Sequence, residues 1–392
     1  MKRGVLAPFS LLVRRENRLL VAAILVALGG GEVLVRLVLP RPGVLEFTGA
    51  DTGVLVQDSV LGYKYGANIR RHIVTPDYEM DFATNDLGMR DSPLDSGPPP
   101  RIRILAVGDS YTLGLGNEAD EVWPKRLQAL IAGSRVYNAG VSGYGLPQMR
   151  LTAEALRPRV RPDLIVVGVY GDGYYRIGDP YVVVSSGAMP LSKSAADRVK
   201  LTNGGVLEPA FATPLLRDAT FWLDRHWYLA GHVAHLVSMA SGAVRKGFGP
   251  PLPPPAPISA RMAPLLDELL RFQRFADSAN VPLAALLINP QLPTGAWSPD
   301  EFAYNEIITT FGREHGVCVI DPLPELERAA KGQPRFRFRD NRHWNPAAQA
   351  LAADVVARTL LGRPGKEGGA LPTPAHCRPA SAALRDTHGR IR

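Results

Sequence analysis

Ile102-Arg103-Ile104-Leu105-Ala106-Val107-Gly108-Asp109-Ser110-Tyr111-Thr112-Leu113-Gly114 opens as a short apolar run, halts at a glycine, and passes straight into an acid and a serine. Runs of this length, bounded by glycine, suit a buried strand. The alternation continues downstream. A helix is expected over Glu121–Ile131, a short strand at Val136-Tyr137 ending at Asn138, and a helix over Pro147–Leu156. Leu164–Val169 is almost continuously apolar, as a parallel strand covered on both faces must be. The pattern breaks near 174 and resumes near 259. Ala263–Phe275 is amphipathic, Leu283–Ile288 and Val317–Ile320 read as strands, and Ser298-Pro299-Asp300-Glu301 and Asn345-Pro346 carry cap-plus-proline helix starts. Strands alternating with helices predict a three-layer α/β/α sandwich with a mostly parallel sheet. Ligands in such folds collect at the carboxyl ends of the strands.

The first strand delivers Ser110 to such an end. A serine hydroxyl attacks well only when a base takes its proton. Taken alone, Ser110 is better read as a helix cap. The last strand-to-helix junction holds Asp340-Asn341-Arg342-His343-Trp344-Asn345-Pro346. One carboxylate and one imidazole three residues apart can meet across a turn, the acid orienting the ring whose other nitrogen faces a serine. Alone, that pair is an ordinary surface ion pair. Together, at the first and last strands of one α/β body, they predict a Ser110, His343, Asp340 set. Between them, Asn138-Ala139-Gly140-Val141-Ser142-Gly143-Tyr144-Gly145 follows the second strand. Glycines let backbone N–H groups approach a reacting oxygen.

At these three segments the chain resembles the SGNH/GDSL hydrolase family. Gly108-Asp109-Ser110 matches its nucleophile block, Gly140 its glycine block, and Asp340-x-x-His343 its final block. Asn85-Asp86-Leu87-Gly88-Met89-Arg90-Asp91 is similar to a lead-in of membrane-anchored bacterial members. The resemblance covers about 80–172 and 259–361. It implies ester hydrolysis without metal or other cofactor, with an oxyanion hole formed by the backbone of Ser110 and Gly140. The family's third block carries an Asn donor. Gly168-Val169-Tyr170-Gly171-Asp172-Gly173 has none, and Asp172 takes that place. An ionised carboxylate cannot donate, so either Asp172 is protonated, another donor serves, or activity is weak.

Leu19–Leu39 precedes all this. About 20 apolar residues cross a bilayer core of roughly 30 Å, and five basic residues before the segment set its N-terminus inside. Glu32 and Arg36, four apart, can pair on one helix face. The competing reading is a cleaved signal peptide at Ala27-Leu28-Gly29. Both export the body, to the periplasmic side of a bacterial inner membrane. The net charge of +8 sits at the two ends, four excess positives in 1–18 and four in 363–392. The neutral body disfavours a nucleic-acid face. Of two cysteines, Cys318 reads as a buried strand residue and Cys377 lies in the tail; no disulfide is implied. Asp224, His226, His232 and His235 match no metal template. Trp222, Trp227 and Tyr228 either line a sugar-binding cleft or serve as core or membrane-interface residues, and the second reading is favoured.

The expected organisation is a basic cytoplasmic segment (1–18), an anchor (19–39) and a lead-in (41–100). A hydrolase domain (101–361) with an insertion at about 174–258 follows, then a disordered tail (362–392). The expected function is an exported serine esterase acting on acyl, chiefly acetyl, esters of glycans or small molecules. The alternatives are an O-acyltransferase on the same scaffold, or a non-catalytic glycan-binding or assembly protein.

Overall fold

The computed structural model describes residues 15–38, 54–178 apart from 59, 75 and 76, and 256–362 apart from 332–334 and 340, with short pieces between 183 and 233. Asp340, most of the insertion including Asp224, His226, His232 and His235, and the tail from 363 lie outside the described residues. The chain divides into two compact units, residues 1–45 with 212–253, and residues 46–211 with 254–392.

In the first unit, helix α1 (Arg15–Val38) contains a stretch, Arg18–Val38, long and apolar enough to cross a membrane; a signal sequence passes the same test. Glu32 and Arg36 pair as expected, at 2.7 Å. The Glu32 carboxylate also accepts the N–H groups of Tyr228 and Leu229, at 2.9 and 2.8 Å.

In the second unit, four short strands come first: β1 (Leu55–Asp58), β2 (Gly62–Tyr65), β3 (Arg70–Val74) and β4 (Glu79–Ala83). They pair as two antiparallel hairpins. The sandwich follows: β5 (Ile102–Gly108), α2 (Ser110–Leu113), α3 (Trp123–Leu130), β6 (Ser134–Gly140), α4 (Leu146–Val160) and β7 (Leu164–Tyr170). Then come α5 (Ile258–Ser278), β8 (Leu283–Ile288), α6 (Pro299–His315), β9 (Cys318–Ile320), α7 (Leu323–Ala330) and α8 (Pro346–Leu361). The five strands β5 to β9 form one parallel sheet in the order β9-β8-β7-β5-β6.

Side chains alternate across a strand, and the core divides accordingly. Leu105, Val107, Ile165 and Val167 join one buried cluster with α4, α5 and α6. Ile104, Ala106, Val166 and Leu286 join the other with α3, α7 and α8. The three-layer α/β/α sandwich is therefore as expected. Two expected caps are present. Ser298 Oγ accepts from the Asp300 N–H and Asn345 Oδ1 from that of Ala348, both at 3.1 Å. Proline at the next position supplies the preset φ.

Two findings depart from the sequence reading. Cys318 is disulfide-bonded, where none was implied; the chain's only other cysteine is Cys377. The lead-in is more than a connector: Leu55, Tyr63, Tyr65, Met80, Phe82 and Met89 are buried in the first cluster. Short hairpins bury too little area to stand alone, so they are stabilised by packing on the sandwich.

Candidate active site

Sheet order reverses direction at β5: the chain goes out to β6 and returns across β5 to β7. Crevices at the carboxyl ends of strands open where order reverses, and Ser110 sits there as the first residue of α2. Asp109 caps this helix, its Oδ1 accepting the Tyr111 N–H at 3.0 Å. Its Oδ2 pairs with Arg176 Nη1 at 2.8 Å. Three glycines on neighbouring strands let α2 settle on the sheet. A Cβ added to Gly108 would lie 2.0 Å from Thr112 Oγ1, one on Gly168 2.5 Å from the same atom, and one on Gly140 2.3 Å from the Leu113 nitrogen.

His343 arrives from the far end of the chain. Its Nε2 lies 2.7 Å from Ser110 Oγ, and both residues are buried. Asn341 Oδ1 accepts the His343 backbone N–H at 2.9 Å, which fixes the amide's orientation. The same oxygen bonds His343 Nδ1. An amide oxygen only accepts, so the proton resides on Nδ1 and the Nε2 lone pair faces the serine hydroxyl. Tyr111 packs on the imidazole, ring centroids 4.8 Å apart, and its hydroxyl donates to the Arg342 carbonyl at 3.2 Å. Burial first, and then the cations Arg342, Arg176 and Arg337, push the ring down to about 3. The imidazole is neutral near pH 7, the state a general base requires.

Thus Ser110 and His343, 233 residues apart, are brought together. Gly140 pairs with Gly108 across the sheet, next to the Ser110 helix, but its N–H donates to Asn138 Oδ1 at 3.1 Å. Its missing side chain is needed for packing against α2. Gly143, three residues on, has φ +81°, and a Cβ there would meet the Tyr63 hydroxyl at 2.7 Å. Neither its N–H nor that of Ser110 has a hydrogen-bond partner among the described residues. Asp172 lies in a single 3-10 turn, Gly171–Tyr174, where its Oδ2 accepts the Tyr170 hydroxyl at 3.2 Å. It lines a cavity of about 320 Å³ with Tyr170, Glu301 and Arg342.

Sequence reading missed Asn341, Arg176 and Gly143. Asn341 had a local signal: an Asn side chain commonly accepts the N–H two residues on. Arg176 sits where the strand-helix alternation breaks, with no pattern to mark it. No cluster of three or more metal-ligating side chains occurs among the described residues.

No family model and no curated protein matches the chain. Among solved structures, the chain is similar to TesA, at 16% identity over 65% of this chain and 95% of that one, TM-score 0.37. It is also similar to a member of the lipolytic protein G-D-S-L family from Veillonella parvula, at 13% identity over 65% and 95%, TM-score 0.37. A third is a catalytic mutant of Axe2, an acetylxylan esterase from Geobacillus stearothermophilus, at 12% identity over 67% and 94%, TM-score 0.35.

Proposed function

We propose that the chain is a serine esterase that cleaves acyl esters through Ser110 and His343. The observation that carries this is the buried 2.7 Å contact between Ser110 Oγ and a neutral His343 Nε2. Ser110 Oγ attacks the acyl carbonyl carbon while His343 Nε2 takes its proton. The tetrahedral intermediate collapses, the ester C–O bond breaks, and His343 returns that proton to the leaving alcohol oxygen. Water then attacks the acyl-serine, its proton passing through His343 back to Ser110 Oγ. The unpartnered N–H groups of Ser110 and Gly143 are the assigned oxyanion donors, Gly143 replacing Gly140 because the Gly140 N–H is already bonded. Asn341 orients the ring, and Asp340, as the nearby carboxylate in sequence, completes the set by stabilising the imidazolium.

The proposed setting is extracytoplasmic, with α1 as a single-pass anchor in a bacterial inner membrane. The length and apolarity of Arg18–Val38 and the disulfide at Cys318 support it, since disulfides persist in oxidising compartments. Alkaline carbonate extraction of membranes separates this from a cleaved leader. The proposed substrates are O-acetyl esters, of which Axe2 is named an esterase for one polymeric example. An O-acyltransferase would use the same first half-reaction with a sugar hydroxyl in place of water.

Reaction with a fluorophosphonate probe tests the assignment. The full chain should be labelled on Ser110 and lose label in Ser110→Ala and His343→Ala, with hydrolysis of p-nitrophenyl acetate falling at least about 10³-fold in each. Equal background rates in all three proteins would leave a binding protein as the better reading.

A further inference from the structure

The cavity beside the Ser110–His343 pair has a lining the proposed chemistry does not use. It measures about 320 Å³ and is walled by the ends of β7 and β8, the first turn of α6 and the loop leading to His343. That volume lies at the small end of ligand pockets, which run about 300–1,000 Å³. Tyr170 and Arg342 form the wall it shares with the pair. The Tyr170 ring lies 6.1 Å from that of Tyr111, which packs on His343, and Arg342 Nη1 lies 3.4 Å from the Tyr170 hydroxyl. Neither Ser110 nor His343 lines the cavity, but both residues of this wall touch Tyr111, which packs on His343, and that makes the cavity the candidate space for a group bonded to a carbonyl at Ser110.

Its chemistry is polar. Asp172, Asp300 and Glu301 contribute carboxylates and Arg342 a guanidinium. Glu301 is only 6% exposed. One of its oxygens accepts from Asn289 Nδ2 at 3.0 Å, and the other has no hydrogen-bond partner among the described residues. Burial, opposed by the Asn289 hydrogen bond, raises this carboxyl to about 7, so that both protonation states are present at neutral pH. Such a group can accept from one hydroxyl and donate to another. An acyl chain placed here would strip water from three carboxylates and return no hydrogen bonds. A polyol replaces that water with its own hydroxyls, while its C–H faces pack on Tyr170 and Leu292. Three carboxylates face two guanidinium groups in this lining, and Arg337 is engaged by the carbonyls of Phe338 and Asn341, which disfavours an anionic sugar.

We propose that this cavity is the alcohol-side subsite of the esterase read above, that it holds one neutral, hydroxyl-rich glycosyl unit, and that Glu301 is its specificity-determining residue. The proposal rests on the esterase reading for its place in the reaction, but its binding claim can be tested without turnover.

The probe is methyl 6-O-acetyl-glucopyranoside, with the full-length protein in detergent. Binding is measured calorimetrically to Ser110→Ala, to Ser110→Ala/Glu301→Ala and to Ser110→Ala/Glu301→Gln. Losing a buried charged partner should weaken affinity about tenfold or more in the Ala variant. The Gln variant, which keeps the shape and the Asn289 contact, should weaken it by roughly threefold. In the Ser110 background, the loss of kcat/KM from Glu301→Ala on the sugar ester should exceed its loss on p-nitrophenyl acetate about tenfold. No binding to Ser110→Ala, or the same affinity in all three proteins, would overturn the subsite. Glu301-dependent binding without hydrolysis of either ester keeps the subsite and removes the esterase. Hydrolysis of both esters with no dependence on Glu301 does the reverse.

Discussion

His343 is a base held among cations. The ordinary imidazole value is near 6.5, and burial with Arg342, Arg176 and Arg337 takes it to about 3. A base works only when unprotonated, so kcat/KM should hold as pH falls below 6.5 and decline only toward the depressed value. Asn341 supplies the acceptor for the ring's Nδ1–H, and an amide brings no charge to offset those cations. Replacing it tests both roles at once. Asn341→Ala should lower kcat by about tenfold or more with KM little changed, because the ring loses its fixed tautomer. Asn341→Asp should recover much of that rate and move the acid limb upward, since a carboxylate favours the imidazolium. A purely structural Asn341 would leave the limb where it was in both variants, as read from kcat/KM profiles between pH 3 and 8.

Helix α2 has four residues and owes its position to the elements around it. The glycines on β5, β6 and β7 let it approach the sheet, and Arg90 closes it from the lead-in side. The Arg90 guanidinium is buried and donates to the carbonyls of Leu113, Gly114, Asn117 and Asp81 at 3.1, 3.0, 2.7 and 3.1 Å. Truncation removes four charge-assisted bonds, with Leu113 and Gly114 keeping only the Asn138 and Asn117 donors, so Arg90→Ala should cost about 3 kcal/mol in urea denaturation. Arg90→Lys, with one compact ammonium, cannot span the same four acceptors and should recover only part. The sandwich elements were readable in the sequence because β5, β7 and β8 are long apolar runs and α6 and α8 announce their caps. Helix α7 and the β1 to β3 pieces were not. They are short, and their burial is decided by what they pack against. Asn85 through Asp91 stood out as a motif, but its work could not be read, because Arg90 binds backbone carbonyls that any sequence would provide. The glycine loop after β6 stood out in the sequence, yet which of its glycines keeps a free N–H depends on the Asn138 side chain, a contact that spacing does not reveal.

For the molecule as a whole, buried titratable groups set how stability varies with pH. Burial lifts Glu301 from 4.5 to about 7 and Asp321 from 3.8 to about 6. Between the two values the folded state holds protons that the unfolded chain releases. Stability contributed by these groups is therefore present at acid pH and lost as pH rises through the folded values. His343 acts with the opposite sign between about 3 and 6.5, where the unfolded chain binds the extra proton and stability rises with pH. Two carboxylates outweigh one imidazole between about 4.5 and 6, and above 6.5 only Glu301 of the three still titrates. The Tm should accordingly be higher at pH 5 than at pH 8. Glu301→Gln removes one of the two contributions while keeping an oxygen for Asn289. It should raise Tm at pH 8 and narrow the gap to pH 5, with Asp321→Asn narrowing it further. A Tm of Glu301→Gln parallel to wild type across that range in a thermal scan would mean that Glu301 titrates at its ordinary value. The cavity would then present an ordinary carboxylate, able to accept hydrogen bonds from a ligand but not to donate one.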